Sequence, residues 1–467
     1  MLAIKEKKSF KVPDTYIIVF TIMIIIALLT YVIPAGTYES YQDEVTGNTL
    51  VDPESFHFID RTPTTFMDFL LSVSAGMAKG SSIIFFSFLI CGFFRIIIDT
   101  GSIDRMIERM ILKFGDKSFL VIPIVAIAMS LLGASGIGLT PIVAFIPIGL
   151  TLAKKLKLDP IFAVAIFYSS VYAGFGSSPF SPYSVVLSQN IAGIPALSGF
   201  SYRAVLWVIF TAVTIWYLMR YANRLKSDIN NSIMDKMDFQ EGGQIDDASI
   251  GSVSVTKDII IVLILFAGFA IYTYGALKLG WNTDYMNGIF MVIGIVCGFI
   301  SGMNAEQIVK SFINGCKSIT YGALLIGFAN AISIIMTDAN IMHTIIYALS
   351  LPLTKVPSAI SAVLMYIVNL VFNFFIPSAS GKAAIVMPLM APFADVVGLT
   401  RQVSVLAYCL ADGFGNTIIP THAILISSIA IAKVPFDKWL KFQIPLFLIW
   451  TLMAFAALAI SVLIGFA

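Results

Sequence analysis

A short glycine-centred phrase occurs twice in this chain, each time inside a long apolar segment. Gly-Phe-Gly-Ser-Ser-Pro at 174–179 recurs as Gly-Phe-Gly-Asn-Thr at 413–417, and the two first glycines are 413 − 174 = 239 residues apart. Small-residue interruptions also precede both copies, at 133–138 and at 377–381. Unwound backbone at membrane depth is tolerated only where protein encloses it or where it lines a cavity. Matched interruptions in two halves of a chain therefore indicate a solute site inside a membrane protein.

The composition also predicts a membrane protein. The 467 residues are 58% hydrophobic and 12% charged, with a mean hydropathy of +0.91, which lies outside the range of soluble domains. Repeated apolar runs of about 18 residues or more predict transmembrane helices. The formal net charge is only +2 and the basic residues are scattered, so we expect no nucleic-acid partner.

The rare residue types exclude several kinds of site. The four cysteines lie singly in apolar segments, and only three histidines occur. Their spacing fits neither a disulfide framework nor a metal cluster. Intramembrane hydrolases need a nucleophile with a base, or paired carboxylates, and no such set is present. We therefore expect neither an enzyme nor a bound cofactor, although a transporter would use Na⁺ or H⁺ as a coupling ion.

Charge asymmetry orients the first span. The tail before Tyr16–Pro34 carries four lysines, whereas the loop after it is acidic. By the positive-inside rule, the N-terminus is cytoplasmic and the loop is external. Lysines at 433, 438 and 441 place the end of the second broken segment inside. We predict a multi-pass protein of the cell inner membrane with an external C-terminus.

The fold class predicted from these patterns is an all-α integral membrane protein. It has two inverted repeats, about nine transmembrane helices, two re-entrant helical hairpins and two broken helices. The segments are 1–60 with the first helix and external loop, 61–222 as repeat 1 (hairpin 119–155, broken helix 161–192), 223–256 as cytoplasmic linker, 257–302 as two connecting helices, and 303–467 as repeat 2 (hairpin 356–397, broken helix 403–432).

The four interruptions are the candidate binding site. Broken helices free N–H groups that suit a carboxylate, and carbonyls and hydroxyls that suit Na⁺. The predicted substrate-binding residues are Ser135, Gly136, Ser177, Ser178, Asn373, Ser378, Ser380, Gly381, Lys382, Asp412, Asn416 and Thr417. The predicted Na⁺ ligands come from Ser135, Gly174, Ser177 and Ser178. The alternative interpretation is that the small residues only allow helices to pack closely.

Two ionisable residues break the symmetry between the halves. Lys382 follows the second hairpin tip and Asp412 precedes Gly413, whereas the first half has apolar residues at both places. Ionisable groups at this depth are costly and indicate function. They would form a salt bridge between the hairpin and the broken helix, contact the ligand, or do both. His422 would be either a titrating group or a satisfied interior histidine.

The motifs resemble a known family. The phrases at 375–381, 387–392, 412–416 and 420–421 are similar to those of the YfcC family, which belongs to the DcuC-like carriers of the ion transporter superfamily. The resemblance covers essentially the whole chain. It implies two inverted repeats, two hairpins, a homodimer and elevator-type alternating access. The Ser-Asn-Thr tips of the superfamily's dicarboxylate carriers are only partly present, since Ser135-Gly136 and Ser380-Gly381 lack Asn-Thr.

The resemblance and the residues together predict a secondary active transporter of a small carboxylate-bearing metabolite. Asp412 favours an amino acid, such as arginine exchanged for ornithine, because a carboxylate would take the cationic group. The alternative is a Na⁺- or H⁺-coupled C4-dicarboxylate transporter that uses Lys382. A channel is disfavoured because the chain has no repeated pore-lining charges. The expected partners are a small-molecule substrate, the lipid bilayer and a second copy of the chain.

Overall fold

A computed structural model describes residues 15–42, 49–51, 55–103, 105–106, 109, 119–136, 139–234, 255–279, 281, 283–350 and 357–466. The basic tail at 1–14 and most of the predicted linker, 235–254, lie outside the described residues. The sidedness predicted from them, and the linker prediction itself, are therefore still predictions.

The described elements are nearly all helices. In chain order they are α1 (Thr15–Leu29), β1 (Gly36–Thr37), β2 (Ser40–Gln42), β3 (Thr49–Val51), β4 (His57–Phe58), α2 (Phe66–Asp99), α3 (Val121–Ala134), α4 (Ile142–Lys155), α5 (Pro160–Gly176), a π-helical turn (Pro182–Val186), α6 (Leu187–Ile191), α7 (Phe200–Ser227), a 3₁₀ turn (Ile229–Asn231), α8 (Val255–Leu279), α9 (Thr283–Ser301), α10 (Ala305–Asp338), α11 (Ile341–Ser350), α12 (Ser358–Phe375), α13 (Ala379–Val396), α14 (Arg401–Gly415), α15 (Ala423–Ile431) and α16 (Phe436–Leu463).

Seven of the described helices are long and apolar enough to cross a membrane: α2, α7, α8, α9, α10, α12 and α16. Seven such helices agree with a multi-pass membrane protein. The total of about nine spans is still a prediction. The predicted first span, Tyr16–Pro34, is a helix of only 15 residues that ends at Leu29.

The predicted external loop is the exception to the all-α prediction. Two antiparallel ladders occur there, with Gly36 opposite Phe58 and Ser40 opposite Val51. The strands contain Thr, Tyr and Val, which favour extended backbone. The described structure is therefore nearly all helical, as predicted, with these short strands confined to the loop.

The two longest helices form an antiparallel pair. Both α2 and α10 have 34 residues, and their first residues are 305 − 66 = 239 positions apart, the spacing of the repeated phrase. Each begins with a reciprocal capping box, at Thr65 and at Asn304. The apolar runs at 81–98 and 319–336 predict spans that start 81 − 66 = 15 and 319 − 305 = 14 residues later than the capped helices do.

Small residues allow this pair to pack closely. A Cβ on Gly76 would lie 2.3 Å from the carbonyl oxygen of Gly327, and one on Gly315 would lie 2.4 Å from that of Cys91. Contacts this short require glycine because any side chain would overlap the neighbouring backbone. The start of α2 thus packs on the end of α10, and the reverse.

Each predicted hairpin is a pair of helices, and each predicted broken helix is interrupted. The first hairpin is α3 and α4, and the second is α12 and α13. The first broken helix is α5, the π-helical turn and α6, and the second is α14 and α15. The second hairpin turns within 376–378, so the break is narrower than the predicted 377–381. Proline explains the interruptions, since it cannot continue the helical hydrogen bonds.

Ion pairs tie the predicted cytoplasmic ends together. Arg95 pairs with Asp99, one turn later in α2, at 2.9 Å. Asp258 at the start of α8 accepts from Arg105 at 2.6 Å and from Arg109 at 2.8 Å. The segment after α2 is thereby joined to the first connecting helix.

Candidate functional site at the crossing of the broken helices

The two copies of the repeated phrase touch each other. A Cβ on Gly413 would lie 2.2 Å from the Cα of Gly176, and one on Gly176 would lie 3.2 Å from the Cα of Gly413. The helices α5 and α14 therefore cross with backbone against backbone. The close-packing interpretation thus accounts for these two glycines at least.

The flanking glycines hold each broken helix against its hairpin. A Cβ on Gly174 would lie 1.9 Å from the carbonyl oxygen of Ser130 in α3. On the other side, a Cβ on Gly415 would lie 2.4 Å from the Nδ2 of Asn373 in α12. The interruptions are thus linked to one another by direct contacts between hairpins and broken helices.

The side chains of Tyr168, Tyr172 and His422 form a hydrogen-bonded aromatic cluster between the two broken helices. The backbone N–H of Leu425 donates to Nδ1 of His422 at 3.3 Å, so this ring nitrogen acts as an acceptor. The hydroxyl of Tyr168 lies 2.9 Å from the same nitrogen and 3.0 Å from the carbonyl oxygen of Asn416. Nε2 of the ring lies 3.2 Å from the hydroxyl of Tyr172. His422 is therefore a satisfied interior histidine that joins the two broken helices.

Lys382 and Asp412 form a fully buried ion pair. Nζ of Lys382 lies 2.8 Å from Oδ1 of Asp412, and neither side chain has any exposed surface. The ammonium also donates to Oδ1 of Asn373 and lies 4.6 Å from the ring centre of Tyr408. A carboxylate, an amide oxygen and an aromatic face therefore surround the cation.

Local structure places these charges. The hydroxyl of Ser378 caps α13, and Lys382 follows one turn later, where its N–H donates to the Ser378 carbonyl at 2.8 Å. Asp412 lies in the last turn of α14. Asn373 fixes the two segments together because its Nδ2 donates to the carbonyl of Ala411 at 2.7 Å. The second hairpin and the second broken helix are thus joined at the charged pair.

The Asp412 carboxylate depends on this one partner. Within the described ranges, no group other than the Lys382 ammonium lies in position to neutralise it, and neither oxygen has a well-aligned hydrogen bond. A second cation that replaces this single partner would break no other hydrogen bond of the buried carboxylate. The bridge expected from the sequence exists, whereas contact of either residue with a ligand is still a prediction.

The predicted oxygens of the first half are mostly engaged. The hydroxyl of Ser177 donates to the carbonyl of Ala173 at 2.6 Å, and that of Ser178 donates to the carbonyl of Ala134 at 2.6 Å. Ser178 also accepts from the N–H of Ser181 at 2.8 Å. The bonds of Ser178 tie the first hairpin to the first break. A Na⁺ ion would compete with the N–H groups that donate to Ser178, whereas the Oγ of Ser177 donates its hydrogen and keeps its lone pairs for a cation.

The predicted residues of the two hairpins lie at the end of α3 and at the start of α13. Ser135 ends α3 and donates to the carbonyl of Leu132 at 2.7 Å, and Gly136 follows with φ +74°. Ser380 and Gly381 are exposed within the first turn of α13. They do not lie in an unwound segment.

The two predicted side chains of the second break, Asn416 and Thr417, differ in their hydrogen bonding. The hydroxyl of Thr417 donates to the carbonyl of Phe414 at 2.7 Å. Oδ1 of Asn416 is buried and has no hydrogen-bond partner in the described part of the chain. This oxygen is the one predicted ligand group of the second break that is left available.

Comparison with known proteins identifies the family. The model of the C4-dicarboxylate anaerobic carriers, DcuC, matches residues 12–463. This chain belongs to the DcuC family. The family is one of membrane transporters, so this DcuC-family chain is a multi-pass membrane transport protein, and the resemblance noted in its motifs is confirmed.

Two relatives match almost the whole DcuC-family chain. The Escherichia coli protein named "Putative basic amino acid antiporter YfcC" is 33% identical, over 94% of this chain and 95% of its own length. An uncharacterized protein of Haemophilus influenzae is 26% identical, over 96% of both chains. The YfcC resemblance therefore extends beyond the motifs to the full sequence.

Two solved transporter structures were also found. The Alcanivorax borkumensis YdaH transporter is 15% identical with a TM-score of 0.44, over 97% of this chain and 99% of that chain. MtrF of Neisseria gonorrhoeae, from a class of antimetabolite efflux pumps, is 14% identical with a TM-score of 0.44, over 98% and 96%. At TM-scores below 0.5, these likenesses decide nothing about the DcuC-family chain.

One buried charge escaped the sequence analysis. Arg203 in the first turn of α7 has no exposed surface. A basic residue near a helix end normally extends its charge to the membrane surface, and in sequence Arg203 looks like such a residue. Only a periodicity argument that placed it on the buried face of α7, with Leu206 and Phe210, would have identified it.

Proposed function

We propose that this DcuC-family chain is a secondary active transporter that moves a small carboxylate-bearing metabolite by alternating access. The observation that carries the proposal is the buried pair of Lys382 and Asp412 where the second hairpin meets the second broken helix. Charged groups deep within membrane helices are costly, and they persist where they serve transport. If either residue can leave the other and bind a solute, transport explains why both charges are present in the membrane.

The first substrate class is an amino acid, such as arginine exchanged for ornithine. Support comes from the name of the E. coli relative, a basic amino acid antiporter, at 33% identity. In such a carrier Asp412 would take the cationic group of the solute once Lys382 is displaced. Freed helix-end amides would take the α-carboxylate.

The second substrate class is a C4-dicarboxylate moved with Na⁺ or H⁺. The name of the matching family and the buried ammonium of Lys382 favour it. In such a carrier the roles reverse, and the ammonium would turn from Asp412 towards a solute carboxylate. Ser135, Gly174, Ser177 and Ser178 would hold the coupling Na⁺ through their hydroxyl and carbonyl oxygens, since the hydrogen bonds that these hydroxyls donate leave oxygen lone pairs for a cation.

The proposed architecture is two inverted repeats working as an elevator, in a homodimer of the cell inner membrane. Equal helix lengths support the repeat, since α2 and α10 have 34 residues each and α7 and α16 have 28 each. The matching order of hairpin, broken helix and long helix in both halves supports it as well. The homodimer and the elevator motion follow from the family resemblance.

Counterflow in proteoliposomes tests the function. Vesicles loaded with unlabelled arginine or succinate should accumulate the same labelled solute transiently, with and without Na⁺. Arginine counterflow that is lost in Asp412→Asn would support the amino-acid class. Succinate counterflow lost in Lys382→Gln would support the dicarboxylate class. Steady leakage down a gradient, with no counterflow of any amino acid or dicarboxylate, would contradict a carrier.

A further inference from the structure

Arg203 is a fully buried cation that has no counter-charge among the described side chains. Its side chain has no exposed surface, and Nε, Nη1 and Nη2 all lack hydrogen-bond partners among the described residues. A guanidinium carries five N–H donors and stays charged in proteins. Burying such a group unpaired is among the most unfavourable arrangements a fold can contain. Its presence indicates that a group beyond the described residues completes the site.

The protein around Arg203 does not neutralise it. The thiol of Cys409 in α14 lies beside the guanidinium, without a well-aligned hydrogen bond to any of its three nitrogens. None of the ion pairs formed by the described side chains includes Arg203. A neutral thiol supplies no negative charge. Among the described residues, the positive charge of the guanidinium is therefore not balanced, and its N–H donors have no acceptors.

Buried hydroxyls without partners occur on α14, which carries Cys409, and on the elements packed against α14. Ser181, Ser184 and Ser188 recur at intervals of three and four along the second part of the first broken helix, and each has a buried Oγ with no hydrogen bond to the described residues. Ser404 on α14 is in the same condition. The π-helical turn and α6 pack against α14, which carries Cys409. Native proteins rarely leave several neighbouring polar groups unsatisfied unless water or a ligand occupies the space.

The buried charges of this region add up to a positive site. Lys382 and Asp412 cancel each other, since they pair at 2.8 Å. Arg203 therefore leaves one net positive charge among the described buried groups at the crossing. A solute with negative net charge balances that charge, whereas a cationic amino acid adds to it whichever cation Asp412 is paired with.

We propose that Arg203 is the anchor for a carboxylate group of the transported solute, held by two parallel N–H···O bonds. The fork of the guanidinium matches a carboxylate in this way, and the seryl hydroxyls would satisfy its remaining lone pairs. This inference rests on the proposed transport function and narrows its substrate class to small carboxylate anions.

Stability without solute gives the first test, with Arg203→Met compared against Arg220→Met, an exposed arginine on the same helix. Removing an unpaired buried charge should leave the melting temperature of the purified protein unchanged or raise it. The control should melt like the wild type. A clear fall in the melting temperature of Arg203→Met would show that the guanidinium has a structural partner, and would overturn the inference.

Binding gives the second test and separates the anchor from transport. Formate, the smallest carboxylate, should raise the melting temperature of the wild type and of Arg220→Met but not of Arg203→Met. Succinate affinity should fall tenfold or more in Arg203→Met, with Arg203→Lys intermediate because it keeps the charge and loses the fork. No formate effect in the wild type, or unchanged succinate affinity in Arg203→Met, would overturn the anchor. A formate effect without counterflow of any solute would instead contradict the transport function and leave the anchor in place.

Discussion

Gly176 and Gly413 meet backbone to backbone, 413 − 176 = 237 residues apart in the chain. A Cβ on Gly413 would lie 2.2 Å from the Cα of Gly176 and 2.5 Å from its nitrogen. Gly176 is the last residue of α5, whereas Gly413 lies within α14, where glycine is normally unfavourable by about 0.5–1 kcal/mol relative to alanine. The contact between the two broken helices therefore outweighs local helix propensity at Gly413.

Replacing Gly413 with alanine should destabilise the protein despite the gain in helix propensity. The gain is about 0.5–1 kcal/mol, whereas overpacking a closed contact costs about 1–3 kcal/mol or more. Gly288 in α9 has nothing within 4 Å of an added Cβ, so Gly288→Ala is the matched control and should be neutral or stabilising. Thermal unfolding in detergent measures the stability of both variants. Equal melting temperatures would show that α5 and α14 can move apart to admit a methyl group at little cost in stability.

Breaking the buried pair from either side should be costly, and removing both charges should restore the fold. Lys382→Met or Asp412→Leu alone leaves one buried charge without a partner, which costs about 3–5 kcal/mol. The double variant should recover most of that stability, because neither charge is then left alone. If the pair takes part in solute binding, the double variant should fold without transporting, as counterflow would show. Full transport by the double variant would reduce the pair to a structural bridge.

The hairpin tips should contribute to solute or ion binding. Ser135→Ala and Ser380→Ala each remove one hydroxyl, and a hydrogen bond to a charged group is worth about 1.5–3 kcal/mol. Affinity should therefore fall about tenfold or more, with expression intact. Ser461→Ala is the control, because that hydroxyl donates only to the carbonyl of Leu458. Isothermal titration decides, and unchanged affinity in both tip variants would leave close packing as the role of these residues.

Asp159 should be important for stability at the predicted cytoplasmic face. Its carboxylate caps α5 by accepting from the N–H of Phe162 at 2.9 Å, and it also accepts from the hydroxyls of Tyr221 and Ser232. Losing the cap costs about 1 kcal/mol, and each orphaned buried hydroxyl adds about 1–3 kcal/mol. Asp159→Ala should thus lower the melting temperature well below that of Asp159→Asn, which keeps an acceptor. Similar values for the two would contradict a capping role.

The predicted sidedness can be tested by labelling. In a background free of native cysteines, a cysteine at Thr49 should react with an impermeant maleimide from outside the cell, because the loop is predicted to be external. A cysteine at Gln244, in the predicted linker, should react only after the membrane is opened. Labelling of both from outside would contradict the inverted topology.

Local chemistry determined where the helices break. Glycine and proline act on the backbone next to them, and the helices α5 and α14 end within the phrases at 174–179 and 413–417, so the glycines are helical and the interruptions follow them. Helix pairs lie at both predicted hairpins, whose re-entrant course is still a prediction, and the rarity of charge in apolar segments singled out Lys382 and Asp412. The starts of α2 and α10 were missed because capping boxes extend these helices beyond their apolar runs.

Contacts between distant segments were decided only by the tertiary structure. Sequence could not show that Gly176 would lie on Gly413, or that Asn373 would complete the charged pair, because helix crossings depend on how whole faces pack. Arg203 is the clearest case. A basic residue one turn inside a helix end is expected at the membrane surface, and only the packing of α7 beside Cys409 encloses its charge. Burial is a property of the assembled helices, whereas the sequence of one helix specifies only which residues share a face.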